Sequence, residues 1–182
     1  ALTSVQITSL STDAISALTT DQVKALTAAA LNALTSDQLA VMTTDDVAAL
    51  TTTQVSKLST LQISLLSTDQ IVSLTTAQVQ ALSSTQVTAL TSDQLNSMES
   101  DDVVALTTSQ VKSLTSDQLS ALTSTQVSVM ETRDIAALTS SQAANLSTDA
   151  ISALTTDQAK ALNSAALNAL TSDQLAALST DD

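Results

Sequence analysis

Aliphatic residues return along the chain at a fixed interval of eight. Counting from Leu2, every eighth residue up to Leu178 is leucine in 20 of 23 cases and methionine in the other three. A second aliphatic position follows five residues later and holds valine, isoleucine or leucine except at Ala143 and Ala159. We call each eight-residue unit an octad and number its positions from the leucine. A spacing without insertion or deletion predicts that every octad meets its neighbours in one geometry.

The positions between the aliphatic residues are equally regular. Position two is threonine or serine in 20 of 23 octads, and position three in 22 of 23. Position four is aspartate in 12 octads, and position five is glutamine in 15, aspartate in four and alanine in four. The segment LTTDQVKAL, from Leu18 to Leu26, is a typical example. The consensus is L-T-[TS]-D-Q-[VIL]-x-A.

This order of residues predicts a new short helix in every octad. T-x-x-Q, as in Thr19 to Gln22, is a capping box, in which the two side chains satisfy each other's backbone N–H groups. With position two as N-cap, positions one and six form the hydrophobic staple, and Asp at position four lies in the first turn, where the helix dipole favours an anion. Helices this short need neighbours to be stable. We therefore predict an all-α solenoid of very short capped helices, with leucine, valine and alanine inside.

Two other backbones fit the pattern less well. In one continuous helix the leucine row would drift by about 80° per octad and could not face one partner. In a strand, positions one and six would point to opposite faces, because they are separated by odd numbers of residues. A β-solenoid could turn between them, and it stays the alternative fold, although its corners would usually use glycine and the chain has none.

The domain prediction is one octapeptide-repeat solenoid over residues 1–182. A super-repeat of 17 octads lies on top of the short one, because Ser11–Ala40 returns as Ser147–Ala176 with three differences. We therefore expect the chain to be a window of a longer array. The number of octads in one coil stays open between two, three and four. Three is favoured by aspartates that recur in every third octad, at Asp21, Asp45, Asp69, Asp93 and Asp117.

Composition and charge narrow the chemistry. The chain has no His, Cys, Gly, Pro or aromatic residue, so it offers no imidazole base, thiolate nucleophile or usual zinc ligand. Its net charge of −13 works against binding to nucleic acid or anionic lipid. Apolar runs reach only about four residues, far short of a membrane span. We expect no enzymatic activity, no cofactor, and no catalytic or metal-binding residues.

Three octads differ from the consensus together, with methionine at position one and aspartate at position five. A cation site is one interpretation of their carboxylate pairs, Asp45/Asp46 and Asp101/Asp102. We favour the other, in which Asp at position five caps a helix as glutamine does and methionine fills a slightly different gap in the core. These octads begin MTTDDV, MESDDV and METRDI, at Met42, Met98 and Met130.

The remaining polar candidates have ordinary interpretations. We expect the four lysines to be solvated surface charges, and Lys24 to pair with Asp21 at i,i+3. Asn145-Leu146-Ser147 matches a glycosylation sequon, which is expected by chance in so serine-rich a chain. The lysines are Lys24, Lys57, Lys112 and Lys160.

The consensus L-T-[TS]-x-Q-[VI]-x-A-L resembles the octapeptide arrays of very large, repetitive bacterial exoproteins, which are often described as adhesin-like. The resemblance covers the whole chain. It implies an extracellular or cell-surface stalk, spacer or filament-forming segment without ligand-binding residues. The partners we expect are neighbouring repeats of the same chain and further copies in fibres, with no nucleic acid and no membrane insertion. The alternatives are a protein-binding solenoid scaffold and, third, an ice-binding hydroxyl surface.

Overall fold

The chain folds into short helices, one in each octad. The computed structural model describes residues 2–178, and within that range it has 22 α-helices of four to seven residues and no strand. The prediction of an all-α solenoid of very short capped helices is confirmed, and the alternative of a β-solenoid is wrong. The last octad, which begins at Leu178, lies mostly outside the described residues.

Backbone contacts divide the helices between two compact units, Ala1–Leu90 and Thr91–Asp182, which we call unit 1 and unit 2. Whether residues 1–182 form a single solenoid stays a prediction. Unit 1 contains α1 (Ser4–Thr8), α2 (Thr12–Ser16), α3 (Thr20–Lys24), α4 (Ala28–Ala33), α5 (Ser36–Ala40), α6 (Thr44–Ala49), α7 (Thr52–Val55), α8 (Thr60–Leu65), α9 (Thr68–Val72), α10 (Thr76–Ala81) and α11 (Ser84–Ala89). Unit 2 contains α12 (Ser92–Ser97), α13 (Ser100–Ala105), α14 (Thr108–Ser113), α15 (Ser116–Ala121), α16 (Ser124–Val129), α17 (Thr132–Ala136), α18 (Ser140–Ala144), α19 (Thr148–Ser152), α20 (Thr156–Ala161), α21 (Ser164–Ala169) and α22 (Ser172–Leu178).

The predicted capping box begins most of these helices. At α3, the Thr19 hydroxyl accepts from the Gln22 N–H at 3.3 Å, and the Gln22 Oε1 accepts from the Thr19 N–H at 2.8 Å. Thr19 itself is extended, with φ −82° and ψ 156°. The cap removes two of the unpaired N–H groups that every helix start presents, and this stabilises a helix too short to form alone.

Twelve helices end where the next position-one residue leaves the helical conformation, and nine others have their C-cap one or two residues earlier. Leu50, after α6, has φ −55° and ψ 138°, and its N–H donates to the Val47 carbonyl at 3.2 Å. The extended conformation at this residue redirects the chain into the next N-cap. Residues 2–178 contain no positive φ, so no turn requires glycine, which accounts for how the array folds without any.

Helices stack on the third helix along the chain in both units. In unit 1, for example, α1 contacts α4, α3 contacts α6 and α8 contacts α11; in unit 2, α12 contacts α15 and α16 contacts α19. The aliphatic positions fill the space between them, with Val47 fully buried and Leu50 only 6% exposed. Met42, Met98 and Met130 are buried as the leucines are, which confirms their predicted place in the core.

Candidate functional site

The most distinctive polar feature is a row of buried glutamines at position five. They are 2–7% exposed, although glutamine is usually a surface residue. We call these residues the glutamine ladder. Its members are Gln38, Gln54, Gln62, Gln70, Gln78, Gln86, Gln94, Gln110, Gln118, Gln126, Gln142, Gln158 and Gln174.

Most ladder amides have the oxygen on their own helix and the nitrogen on the preceding coil. The Gln126 Oε1 accepts from the Thr123 N–H at 3.1 Å, which closes the capping box of α16. The Gln126 Nε2 donates to the carbonyls of Leu95, Asn96 and Met98 at 2.9, 3.2 and 3.1 Å. Gln38 does the same in unit 1, with Nε2 at 2.8 Å from the carbonyls of both Ile7 and Leu10. One side chain therefore caps a helix and joins two coils.

These bonds fix the size of a coil. The acceptors lie 28 and 31 residues before the glutamine, at a position-one and a position-six carbonyl. Each helix thus lies over the third helix before it in the chain. Its N-terminus also contacts the C-terminus of the fourth helix before it. A coil is longer than three octads and shorter than four, so the recurrence of aspartate in every third octad is not the coil repeat. The same two acceptor spacings are found at Gln38, Gln54, Gln62, Gln70, Gln78, Gln86, Gln126, Gln142, Gln158 and Gln174.

Sequence reasoning identified the glutamine as a cap and missed its second role. A capping box accepts Glu as well as Gln at this position. The chain, however, places Gln there in 15 octads and Glu in none. Only the amide can donate to carbonyls while it also accepts from an N–H. That strict preference was the available signal of a cross-coil donor.

Asparagine takes over the role in two octads. In α21, position five is Ala166, and the N-cap Asn163 donates through Nδ2 to the carbonyl of Leu138 at 2.9 Å, the position-one acceptor that a glutamine in place of Ala166 would use. Asn32 donates to the Lys57 carbonyl at 2.8 Å and accepts from the Ser59 N–H at 2.6 Å. Asn163 therefore replaces the cross-coil donor, whereas Asn32 supplies the acceptor for the Ser59 N–H, which Gln62 does not bind.

The three described aspartates at position five are all buried, but their partners differ. Asp46 closes a capping box with Thr43, accepting from its N–H at 3.1 Å and its hydroxyl at 2.8 Å, as predicted. Asp134 instead accepts from the Thr108 hydroxyl at 2.5 Å. Asp102 is 4% exposed, and its carboxylate has no hydrogen-bond partner among the described residues. The prediction that these aspartates cap like glutamine is thus confirmed for Asp46 and wrong for the other two.

The N-cap explains the isolation of Asp102. Glu99 occupies position two of that octad and makes no side-chain cap bond, so there is no hydroxyl to meet Asp102 as Thr43 meets Asp46. Burial, together with the nearby Glu99 and Asp101 carboxylates, raises the pKa of Asp102 from 3.8 to about 6. Near neutral pH the buried carboxylate is ionised at a cost to the folded state.

The other sequence candidates lie at the surface. Lys24 is exposed, and no ion pair joins it to Asp21 in the described part of the chain, so that predicted pair is wrong. Arg133 instead pairs with Glu131 at 2.8 Å on α17. The Asn145 amide donates to the Ser141 carbonyl at 2.7 Å. The exposed position of Lys24 is shared, as expected, by Lys57, Lys112 and Lys160.

Two properties of residues 2–178 bear on partners. No three carboxylate-bearing side chains come close enough to form a metal-binding group in this range. None of its helices is sufficiently long and apolar to cross a membrane.

Comparison with known proteins places the repeat in a family. Searches of curated proteins and of solved structures found no match. The family model of the ALTTAQ repeat matches six overlapping segments, residues 1–28, 23–52, 41–76, 72–98, 95–130 and 127–164. These segments span residues 1–164 without a gap, and the octads of this chain follow one consensus throughout. The chain therefore belongs to the ALTTAQ repeat family.

Proposed function

We propose that the chain is a structural, non-enzymatic module that serves as a spacer or stalk in a larger extracellular or cell-surface protein. The observation that carries the proposal is the constant geometry of the glutamine ladder, whose bonds return 28 and 31 residues earlier in both units. A constant joint between coils gives a part whose length is set by the number of octads. Such a part suits positioning other domains.

The outer surface supports the same role. A charge of −13 keeps copies apart and soluble. Many serine hydroxyls at position seven are engaged with their own helix, as in the bond from Ser128 to the Thr125 carbonyl at 2.8 Å. These hydroxyl donors are therefore used within the chain and are not offered to a partner, which suits a spacer.

The decisive experiment lengthens the array by whole coils. Duplicating residues 115–170 adds seven octads, which is two coils at the 28-residue spacing of the ladder. We expect the helical signal per residue to stay constant and the maximum dimension in small-angle X-ray scattering to grow by about 16–20 Å, two helix spacings. The control inserts the same segment with its residues in scrambled order. A duplication that leaves the maximum dimension unchanged, or behaves as the scramble does, would refute the spacer.

The cell-surface part of the proposal needs its own test. It is supported by the resemblance of the consensus to repeats of large exoproteins. Protease added to intact cells of the source organism should remove the repeat region while a cytosolic marker stays whole. Protection of the repeat region until the cells are lysed would contradict a surface location.

One observation favours the alternative of a protein-binding scaffold. On α8, Leu61 and Leu65 are exposed by 63% and 38%, and at i,i+4 they share one helix face. Leucine is unusual at positions four and eight, so this is a non-repeating apolar feature. The variant L61S/L65A should abolish capture of any partner that uses this face and leave the spacer dimension unchanged. If the wild-type chain and the L61S/L65A variant capture the same partners, the exposed leucines no longer support the scaffold alternative.

A further inference from the structure

Three unusual residues lie in α8 and just before it. Leu61 is the only leucine at position four of any octad, Leu65 is the only leucine at position eight, and Lys57 is the only charged residue at position eight. All three are exposed. Helix α8 itself packs between α5 and α11, inside unit 1. The two leucines are therefore exposed on a side of the coil that the stacking of coils leaves free.

The start of α8 is held by a side chain of the preceding coil. In most octads the glutamine at position five accepts from the N-cap N–H, but Gln62 does not bind the Ser59 N–H. Asn32 accepts from that N–H at 2.6 Å and donates to the Lys57 carbonyl at 2.8 Å. One amide thus fixes the segment from which α8 begins. A face that is already ordered loses less conformational entropy when it binds.

Opposite charges flank the two leucines. Lys57 lies two residues before the N-cap Ser59, and Asp69 lies in the first turn of α9, after α8 has ended. Lys57, Leu61, Leu65 and Asp69 follow one another at intervals of four residues. A two-fold axis near the middle of α8 would place Leu61 of one copy on Leu65 of the other, and Lys57 on Asp69. The face is therefore complementary to itself, as an isologous interface requires.

We propose that two copies of the chain pair side by side through α8, antiparallel and related by a two-fold axis. The leucines form the apolar centre of the contact, and an ion pair between Lys57 and Asp69 closes each end. The order of the charges selects this occupant and this orientation. In a parallel arrangement Lys57 would meet the lysine of the other copy, and like charges would oppose the contact.

The pairing is weak, because two leucines and two charges from each copy form a small interface. Two chains that each carry a charge of −13 also repel each other, and salt screens this repulsion. We expect a dissociation constant of roughly 0.01–1 mM near physiological salt. An isologous contact uses the same patch on both copies, so the assembly closes at the dimer.

This inference rests on the scaffold alternative of the proposed function, because it names the partner of the same exposed leucines. A spacer needs no association between chains. The insertion experiment on length and the association experiment below therefore fail independently.

Sedimentation equilibrium of the 182-residue chain tests the pairing over a concentration series from about 0.01 to about 1 mM. We expect a share of dimer that rises with concentration, and L61S/L65A should stay monomeric. Lys57→Asp and Asp69→Lys should each weaken the association at least about threefold, since like charges then meet at both ends. The double variant K57D/D69K restores opposite charges across the axis and should associate within about twofold of the wild-type chain.

The matched controls are Lys24→Asp on α3 and Asp93→Lys on α12, which make the same charge changes at other exposed positions. They should leave the association within about twofold of the wild-type value. Circular dichroism melting confirms that every variant folds. A wild-type chain that stays monomeric over the whole series overturns the proposal, and so does L61S/L65A that associates as the wild-type chain does. A K57D/D69K variant that pairs no better than the single variants also overturns it.

Discussion

Two helices of unit 2 that contact each other, α13 and α16, differ in how well the buried polar side chain at position five is hydrogen-bonded. Each buries the polar side chain of position five between coils. Gln126 of α16 accepts from the Thr123 N–H and donates to three carbonyls of the preceding coil. Asp102 of α13 has neither contact, and its N-cap Glu99 makes no cap bond.

The difference separates what burial costs from what the amide contributes. A buried polar group destabilises a fold unless it is hydrogen-bonded, and an ionised one does so more strongly. The glutamine satisfies this condition at both ends, because it has an acceptor and a donor. The aspartate has no donor when it is ionised and has lost its hydroxyl partner at position two. The α13 octad is therefore held mainly by its neighbours and its aliphatic residues.

The largest effect is expected when the amide of α16 is converted to a carboxylate. Gln126→Glu keeps the length of the side chain and the capping acceptor but places a charge against the carbonyls of Leu95 and Met98. We expect a loss of about 3 kcal/mol in the free energy of unfolding near pH 7, measured by urea denaturation. Acidification should recover part of the loss, since a protonated Glu can donate.

Gln22→Glu is the matched control for that variant. Gln22 has the same cap and no cross-coil bond among the described residues. Its stability should change by less than about 0.5 kcal/mol, as for an ordinary surface substitution. Equal losses in the two variants would mean that the cross-coil bonds contribute nothing.

The second effect is a pH dependence that comes from Asp102. The pKa of this carboxyl is about 6 in the folded chain against an ordinary value of 3.8, so the folded state keeps its proton where the unfolded state has released it. Stability should therefore fall as the pH rises from about 4 to about 6 and stay level above that. Asp102→Asn should raise the free energy of unfolding by about 1–2 kcal/mol at pH 8 and by almost nothing at pH 4.

Asp46→Asn provides the comparison for Asp102→Asn. The Asp46 carboxylate accepts two hydrogen bonds from Thr43, which a neutral amide oxygen accepts more weakly. That substitution should leave stability unchanged or lower it at every pH. A gain at pH 8 in both variants would indicate a general charge effect in place of a specific defect at α13.

A third effect concerns the other aspartate without a capping role. Thr108→Val removes the hydroxyl that donates to Asp134 and keeps the shape of the side chain. We expect a loss of about 1–2 kcal/mol, since a carboxylate bond is broken in a buried place. Thr76→Val, at the same octad position but exposed, is the control and should be neutral. Thermal melts of both variants with the same midpoint would contradict the role of Thr108.

The smallest effect is a repair of α13. Glu99→Thr restores the consensus N-cap and removes one of the two neighbouring charges that raise the pKa of Asp102. The new hydroxyl can meet Asp102 as Thr43 meets Asp46. We expect a gain of about 0.5–1 kcal/mol, the usual value of a helix cap. A loss of stability in the melt would show that Glu99 has a favourable role of its own.

The local structure could be predicted from the sequence because its causes are local. Thr19 and Gln22 are three residues apart, and a capping box needs nothing else. The place of Asp at position four and the burial of positions one and six follow from the same register. One helix per octad was therefore predictable down to the N-cap residue.

The coil could not be predicted in the same way, because its causes are distant in sequence. The acceptors of Gln126 are 28, 30 and 31 residues earlier, and no short pattern marks a backbone carbonyl. The recurrence of aspartate in every third octad favoured a coil of three octads, because the spacing of Asp at position four was interpreted as the repeat of the coil. The side chain of that aspartate is exposed at Asp21 and Asp37. Where a position-four aspartate takes part in the joint between coils, as at Asp117 and Asp149, it does so through its backbone carbonyl, which any residue type could supply.

The failure at Asp102 has a different cause. Its octad differs from the consensus at positions one, two and five together. The sequence shows which residues differ, but it does not show that the effect of aspartate at position five depends on the residue at position two. Capping by Asp depends on the hydroxyl at position two, which Asp46 has in Thr43 and Asp102 lacks. The pair of positions, and not the aspartate alone, decides whether the carboxylate is satisfied.

Hydrogen exchange at the glutamine side-chain amides, followed by NMR, tests most directly whether one amide both caps a helix and joins two coils. The Nε2 protons of Gln126 and Gln158 donate to buried carbonyls and should exchange far more slowly than those of Gln22, which is exposed. Exchange at Gln126 as fast as at Gln22 would contradict the cross-coil bond.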